Sequence, residues 1–277
     1  MTITTRDQLI AAMAGNSSRL IIDKSAFTVG AGSFYSCWRA TGQPGQGAIP
    51  TAVAVCDATF VGAVGYAQQT SPATSYLALL EVSLGVANTL ELHDRLCHMG
   101  GLVGSVATAQ TVGMDLSTLL ATNNLAARKG DDNYSDVQWW LEWYVTTGST
   151  ACTATVNVTY SDGSTGNLTG ISLAAGRPAA YMVGLNNAIP AAASGLYIRG
   201  VNTVTLSAST GISGNFGVTA TRYRAGSYCP MANARFTADW AQLGLPEIPN
   251  SSCLFAVILG STTGSTVIRA TGKLAHG

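Results

Sequence analysis

An alternation of apolar and polar side chains between residues 137 and 160 constrains the fold of this chain most strongly. In its first part every second residue is apolar: Val137, Trp139, Leu141, Trp143 and Val145. In its second part the same spacing places Ala154, Val156, Val158 and Tyr160 on one side. A repeat of two is that of a β-strand, whose successive side chains point to opposite faces of a sheet. The stretch therefore predicts two strands, each with one buried face.

Shorter strand patterns recur on both sides of this stretch. About eight strands are expected between residues 75 and 224, separated by turn residues such as those at Ser161–Ser164. Many short strands at regular spacing are typical of a sandwich, whereas alternating strands and helices would indicate a parallel sheet. We therefore expect an all-β protein, an antiparallel β-sandwich of jelly-roll-like type.

The two ends of the chain differ from the middle. Thr5 can cap a short helix over residues 5–14, with an apolar stripe at Leu9, Ile10 and Met13 and a stop at Gly15. The expected domains are a helix with an extended arm over 1–70, the β-sandwich over 71–224, and a C-terminal extension with a β-hairpin over 225–277. Extended arms at both ends are therefore part of the expected fold.

A late strand, Cys253–Leu259, is apolar on both faces and is expected to be buried on both. Two interpretations are open: the strand completes the sheet of its own chain, or it is added to the sheet of a neighbouring subunit. Under the second interpretation Leu254, Phe255 and Val257 are expected to be interface residues.

The low content of charged residues limits the classes of molecule that this chain is expected to bind. Charged residues make up 10% of the chain and the formal net charge is zero, against about 25% charged residues in ordinary soluble domains. Nucleic acid is not an expected partner, because binding it requires many Lys and Arg side chains. The chain contains no apolar run of membrane-spanning length and no signal-peptide pattern at its start, so we expect no membrane partner and assembly in a cytoplasm. The six cysteines are expected to be separate, buried thiols.

Motifs that carry chemistry are missing or incomplete. His93, Cys97 and His98 are close in sequence, but on a strand His98 points away from the other two. Positions Asp131, Asn133, Ser135 and Glu142 match the spacing of a calcium loop, yet the required glycine is replaced by Asp136. We therefore expect no catalytic residues, no metal site and no cofactor, and so no enzyme.

An aromatic cluster on the first strand is the remaining candidate site. Its period of two sends Trp139 and Trp143 inward, whereas Trp140 and Tyr144 are expected to face outward. Outward aromatic residues on a weakly charged sheet favour a protein interface. Core residues under a loop and a platform for sugars or bases remain the alternatives.

Residues 92–104, with the sequence Leu-His-Asp-Arg-Leu-Cys-His-Met-Gly-Gly-Leu-Val-Gly, resemble a family of tailed-bacteriophage virion structural proteins. The resemblance continues through Thr108–Val112 and Trp140–Tyr144 to Val204–Thr219, and covers roughly residues 70–225. His93 stands where the family pattern has Tyr. The resemblance implies a non-enzymatic component of the particle, on the head or in the tail.

Composition and resemblance together predict a capsid decoration (cement) protein. It is expected to bind the outer surface of the major capsid protein shell, to bridge capsomers, and to self-associate as a dimer or trimer. It is expected in the virion, after assembly in the host bacterial cytoplasm. The alternative is a tail- or fibre-associated virion protein that binds a host receptor or glycan through Trp140 and Tyr144.

Overall fold

The computed structural model describes residues 3–70 and 74–277, and its strand pairings are antiparallel. The helices of the described residues are α1 (Arg6–Gly15), α2 (Leu116–Leu119), α3 (Leu125–Arg128) and α4 (Trp240–Leu243). The strands are β1 (Ser17–Val29), β2 (Phe34–Ser36), β3 (Gly42–Gln43), β4 (Ala54–Val55), β5 (Ser75–Leu84), β6 (Asn88–Leu102), β7 (Gln110–Asp115), β8 (Val137–Trp143), β9 (Cys152–Tyr160), β10 (Thr165–Leu173), β11 (Tyr181–Gly184), β12 (Ile198–Leu206), β13 (Phe216–Cys229), β14 (Phe236–Asp239), β15 (Glu247–Ile248), β16 (Leu254–Leu259) and β17 (Gly264–His276). The expected all-β, antiparallel class is confirmed. None of the helices in the described chain has both the length and the apolar character needed to cross a membrane.

The chain forms two compact units. The first unit consists of Met1–Ala48, Asp57–Asp94 and Tyr223–Gly277, and the second of Ile49–Cys56 and Arg95–Arg222. These boundaries differ from the expected segments 1–70, 71–224 and 225–277. The physical reason is the pairing of β1 with β17, which brings both expected arms into one sheet.

That sheet, here called the terminal sheet, dominates the first unit. Its strand order is β14-β5-β17-β1-β3, and β15 also pairs with β5. β1 runs for 13 residues and pairs with β17 from Ser17 opposite Ala275 to Val29 opposite Gly264. The sequence predicted only an extended arm in this region. The long strand forms because β17 supplies backbone partners along most of it.

Helix α1 covers one end of the buried face of the terminal sheet. The expected helix is confirmed, with the Thr5 side chain accepting a hydrogen bond from the Gln8 amide. Its buried residues Leu9 and Ala12 pack against Ala78 and Ala275. Ile10, which was expected in the apolar stripe, is 57% exposed. A helix turns by about 100° per residue, so Ile10 cannot share the face of Leu9.

Strand β16 completes a sheet of its own chain. Within the first unit it pairs with β2 on one side and with residues 89–94 of β6 on the other. Residues 257–259 pair with β2 and residues 254–259 with β6. The first interpretation, a strand within the sheet of its own chain, therefore describes this structure.

The second unit is a two-layer sandwich. One layer has the order β10-β9-β12-β7, and in the other β8 lies between β11 and residues 216–222 of β13. Trp139 on β8 donates its indole N–H to the carbonyl oxygen of Ile198 on β12 at 2.8 Å, which joins the layers. The neighbouring strands β8 and β9 therefore lie in different layers.

Close packing in the second unit gives a test of the fold. A Cβ atom at Gly217 would lie 1.9 Å from the Met99 carbonyl oxygen, whereas one at Gly65 would meet no atom within 4 Å. We predict that Gly217→Ala lowers the free energy of unfolding by about 1–3 kcal/mol, the usual cost of overpacking. Gly65→Ala is the matched control and should change it little. Equal urea midpoints for the two variants would contradict the packing at Gly217.

Candidate functional site

The five residues predicted to form an interface are buried in this chain. Leu254, Phe255 and Val257 are at most 1% exposed, and Trp140 and Tyr144 are each 5% exposed. The expected outward orientation of Trp140 and Tyr144 was wrong. Trp140 donates its indole N–H to Thr221 at 2.9 Å. The hydroxyl of Tyr144, the residue after β8, lies 3.4 Å from a buried carboxylate. The interface role of these five residues stays a prediction. The candidate contact surface described below consists of other, exposed residues.

The buried carboxylate belongs to Glu142, which pairs with Arg95 in the second unit. Both side chains are at most 1% exposed, and their closest nitrogen and oxygen atoms are 2.7 Å apart. The Arg95 guanidinium also donates to Thr219, Tyr144 and the ring nitrogen Nδ1 of His98. Thr219 in turn donates its hydroxyl to Glu142. A buried ion pair is tolerated when further hydrogen bonds satisfy its remaining atoms.

Electrostatics keep this cluster in one charge state. Burial alone would lower the pKa of Arg95, but the Glu142 carboxylate together with other neighbouring groups outweighs this effect and raises the pKa. Burial also raises the pKa of Tyr144, and the charge of Glu142 raises it further. At neutral pH the arginine is therefore charged and the phenol is neutral. The arrangement joins strands β6, β8 and β13 through Arg95, Glu142 and Thr219.

A second buried ion pair lies in the first unit. Asp94 accepts a hydrogen bond from Arg224 at 3.0 Å through one carboxylate oxygen and from the Cys253 amide at 2.9 Å through the other. Asp94 therefore fixes the chain at the start of β16. Asp94 and Arg95 belong to the segment that carries the family resemblance, and the structure gives both a structural role.

The candidate metal ligands are bonded to other groups. His93 lies 2.8 Å from the Glu91 carboxylate, and His98 accepts from Arg95. Glu142, the last position of the calcium-like spacing, is held by Arg95. In residues 3–70 and 74–277, no group of three or more His, Cys, Asp or Glu side chains is arranged to hold a metal ion.

The six cysteines are free and buried, as expected. Burial raises the pKa of Cys37 to about 12, so its thiol is protonated at neutral pH. Because the thiolate is the nucleophilic form, Cys37 is unsuited to covalent catalysis.

The exposed face of the terminal sheet, here called the outer face, is the candidate contact surface. Alternate residues of neighbouring strands form it: Arg19, Ile21 and Asp23 on β1, Thr271, Lys273 and Arg269 on β17, and Glu81 and Ser83 on β5. Arg235, which precedes β14, borders it. Ile21 on β1 is 45% exposed. The outer face thus combines an exposed apolar side chain with charges of both signs.

Two open depressions of about 320 and 330 Å³ lie on the outer face. The first lies among Ile21, Asp23, Arg235 and Arg269, and Glu81 lines both. Two ion pairs cross it: Arg235 binds Glu81, and Arg269 lies 3.7 Å from Asp23. Such exposed pairs contribute little to stability. Their side chains can therefore exchange partners when another surface approaches.

No protein-family model and no curated protein matches this chain. Among solved structures, one similar chain comes from the structure of infectious bursal disease virus Gx strain. It shares 9% identity over 92% of this chain and 81% of that chain, with a TM-score of 0.18. Another is from the crystal structure of infectious bursal disease virus VP2 subviral particle, with 10% identity over 95% and 80% of the two chains and a TM-score of 0.15. Similarity at these TM-scores carries no argument about this chain.

The sequence contained a usable signal for the outer face. In Arg19-Leu20-Ile21-Ile22-Asp23 the two charged residues and Ile21 occupy alternate positions, and Leu20 and Ile22 occupy the others. That alternation indicates a strand with one solvent-exposed face. This alternation was not interpreted as a strand because these residues were expected to lie in an extended arm.

Truncation of one member of the buried pair should be far more damaging than loss of an exposed pair. We predict that Glu142→Leu lowers the free energy of unfolding by about 3–5 kcal/mol, because Arg95 is left buried and unpaired. The control Arg269→Ala should cost less than about 1 kcal/mol, as expected for an exposed pair. The double variant Arg95→Met/Glu142→Leu should recover much of the loss in urea denaturation. A double variant no more stable than Glu142→Leu would contradict this account.

Stability should also depend on pH through His276. Its ring lies 2.9 Å from the hydroxyl oxygens of Ser75 and Ser18, and burial lowers its pKa below the usual 6.5. The folded state therefore resists protonation, so its contribution is present above pH 6.5 and is lost as the pH falls below that value. We predict that acidification to pH 5 destabilises the wild type more than His276→Gln in thermal unfolding. Parallel pH profiles for the two proteins would refute this role.

Proposed function

We propose that this chain is a structural protein of a tailed-bacteriophage virion. In this proposal it binds the outside of the major capsid protein shell as a decoration, or cement, protein and bridges capsomers. Residues 92–104 and the later matching segments supply the family resemblance. The outer face of the terminal sheet is the observation that supports a binding role most directly.

The dimensions of the outer face suit a protein contact. In the order β14-β5-β17-β1-β3 the strands have 4, 10, 13, 13 and 2 residues. With a rise of about 3.3 Å per residue and a spacing of about 4.8 Å between strands, they cover on the order of 700 Å². That area is near the roughly 800 Å² that one partner contributes to a standard interface. Each 100 Å² of apolar surface buried there would contribute about 2.5 kcal/mol before the entropic costs of association.

The use of ionisable groups also supports a binding protein over an enzyme. Two buried ion pairs occupy ionisable side chains of the interior, Arg95 with Glu142 and Asp94 with Arg224. Cys37 is protonated at neutral pH because burial raises its pKa. Sugar hydrolysis, for example, requires two carboxyl groups on either side of a substrate bond. The buried carboxylates are instead hydrogen-bonded to protein groups, which suits a framework that presents a surface.

Many equivalent binding sites on the shell would allow weak individual contacts to hold the protein on the particle. A shell offers many equivalent sites, and linked sites gain affinity through effective concentration. Self-association of the protein as a dimer or trimer, which belongs to the same proposal, would provide that linkage. Sedimentation of the purified protein would measure its oligomeric state.

Copy number and location test the proposal together. We predict that quantitative mass spectrometry of purified virions finds this protein at a copy number comparable with that of the major capsid protein. Gold-labelled antibodies should decorate the head in electron micrographs, and particles that lack the protein should lose their contents at lower temperature. A few copies per particle with labelling at the tail would refute decoration and favour the receptor-binding alternative.

A further inference from the structure

Two positive charges lie directly opposite each other on the outer face. Arg19 of β1 pairs in register with Lys273 of β17, and both line the same depression of about 330 Å³. Like charges at directly opposed positions of an antiparallel pair repel each other. The fold therefore maintains an arrangement that is unfavourable in the isolated chain.

The neighbouring carboxylates form their ion pairs with other side chains. Glu81 lines the depression, but it accepts from Arg235 and from the Thr271 hydroxyl. Asp23 is paired with Arg269. Within the part of the chain that the structure describes, no acidic side chain forms an ion pair with Arg19 or Lys273.

We propose that this cation pair receives carboxylate side chains of an acidic segment on the shell protein. The inference rests on the proposed function, because it names the chemistry of the partner at the outer face. An incoming carboxylate can bind the planar Arg19 guanidinium through two parallel hydrogen bonds, and Lys273 adds a point charge beside it. Ser17 borders the same depression, and its exposed hydroxyl donates to the Met13 carbonyl oxygen.

The surrounding charges favour a protein segment over nucleic acid. Asp23 and Glu81 lie on the same face, and the formal net charge of the chain is zero. A phosphate backbone carries closely spaced negative charges and is bound by extended positive surfaces. A single cation pair bordered by carboxylates matches instead one or two acidic side chains.

Binding of a hexaglutamate peptide to the purified full-length protein, measured by calorimetry at about 0.15 M salt, where the Debye length is about 8 Å, tests the surface directly. The variant Arg19→Glu should weaken this binding about tenfold, as expected for loss of a charge-assisted hydrogen bond. The matched control Arg6→Glu changes an exposed residue of α1 and should weaken it by about twofold at most, because distant exposed charges are screened. Equal effects of the two variants, absent peptide binding, or tighter binding of a deoxythymidine oligonucleotide would overturn the proposal.

Thermal unfolding of the same variants separates binding from folding. Arg19→Glu places a carboxylate opposite Lys273 and replaces repulsion with attraction. We expect this variant to unfold at a temperature equal to or above that of the wild type. Lower stability would show that Arg19 is required by the fold and would overturn the premise of an unfavourable pair.

Cross-linking in purified virions identifies the partner. A carbodiimide joins a lysine amine to a carboxylate in contact with it, and Lys273 is suited to this because Lys24 and Lys129 are buried. We expect an amide bond between Lys273 and an Asp or Glu of the shell protein. Attachment to a second copy of this chain, or no attachment, would overturn the assigned partner. Absence of the protein from virions would refute the proposed function, whereas the peptide measurement would still decide the chemistry of the surface.

Discussion

The antiparallel ladder between β1 and β17 is the interaction on which the first unit depends. It joins the beginning of the chain to its end, with Ser17 opposite Ala275. Closing so long a loop costs conformational entropy, although the cost grows only slowly with length. Leu20 and Ile22, buried beneath the ladder, offset part of that cost. The same ladder creates the outer face, because burial of one side of a sheet leaves alternate residues on the other side exposed.

The interior of this protein contains charges that most cores avoid. Lys24 is 2% exposed and donates to the carbonyl oxygens of Pro44 and Ala40, and burial lowers its pKa. Arg128 is equally buried and donates to the carbonyl oxygens of Cys56 and Arg95. These side chains satisfy backbone groups of irregular segments that have few partners in a sheet. Burial and full hydrogen bonding together make such groups structural.

The outer face carries several exposed charges, within a chain of low overall charge. Arg19, Lys273, Arg269 and Arg235 lie along one sheet face, interspersed with carboxylates. A mixed face of this kind suits specific contact, because complementary charges fix the register of two surfaces more than they strengthen binding. Exposed Ile21 adds apolar area to the outer face. The proposed function and the proposed acidic partner both depend on this combination.

Local pattern determined the strand character of β8 and β9, the turn at Gly163 and the capped helix that begins after Thr5. These features depend on neighbours in sequence, through alternation, positive φ and capping. The tertiary structure alone decided which strands pair, because register depends on residues far apart in the chain. It also decided that Tyr144 is buried. A period of two assigns side chains to two faces of a strand, but it does not reveal that Arg95 packs on the face expected to be exposed. An exposed sheet face formed where the sequence suggested an extended arm, since only the β17 partner makes β1 a long strand.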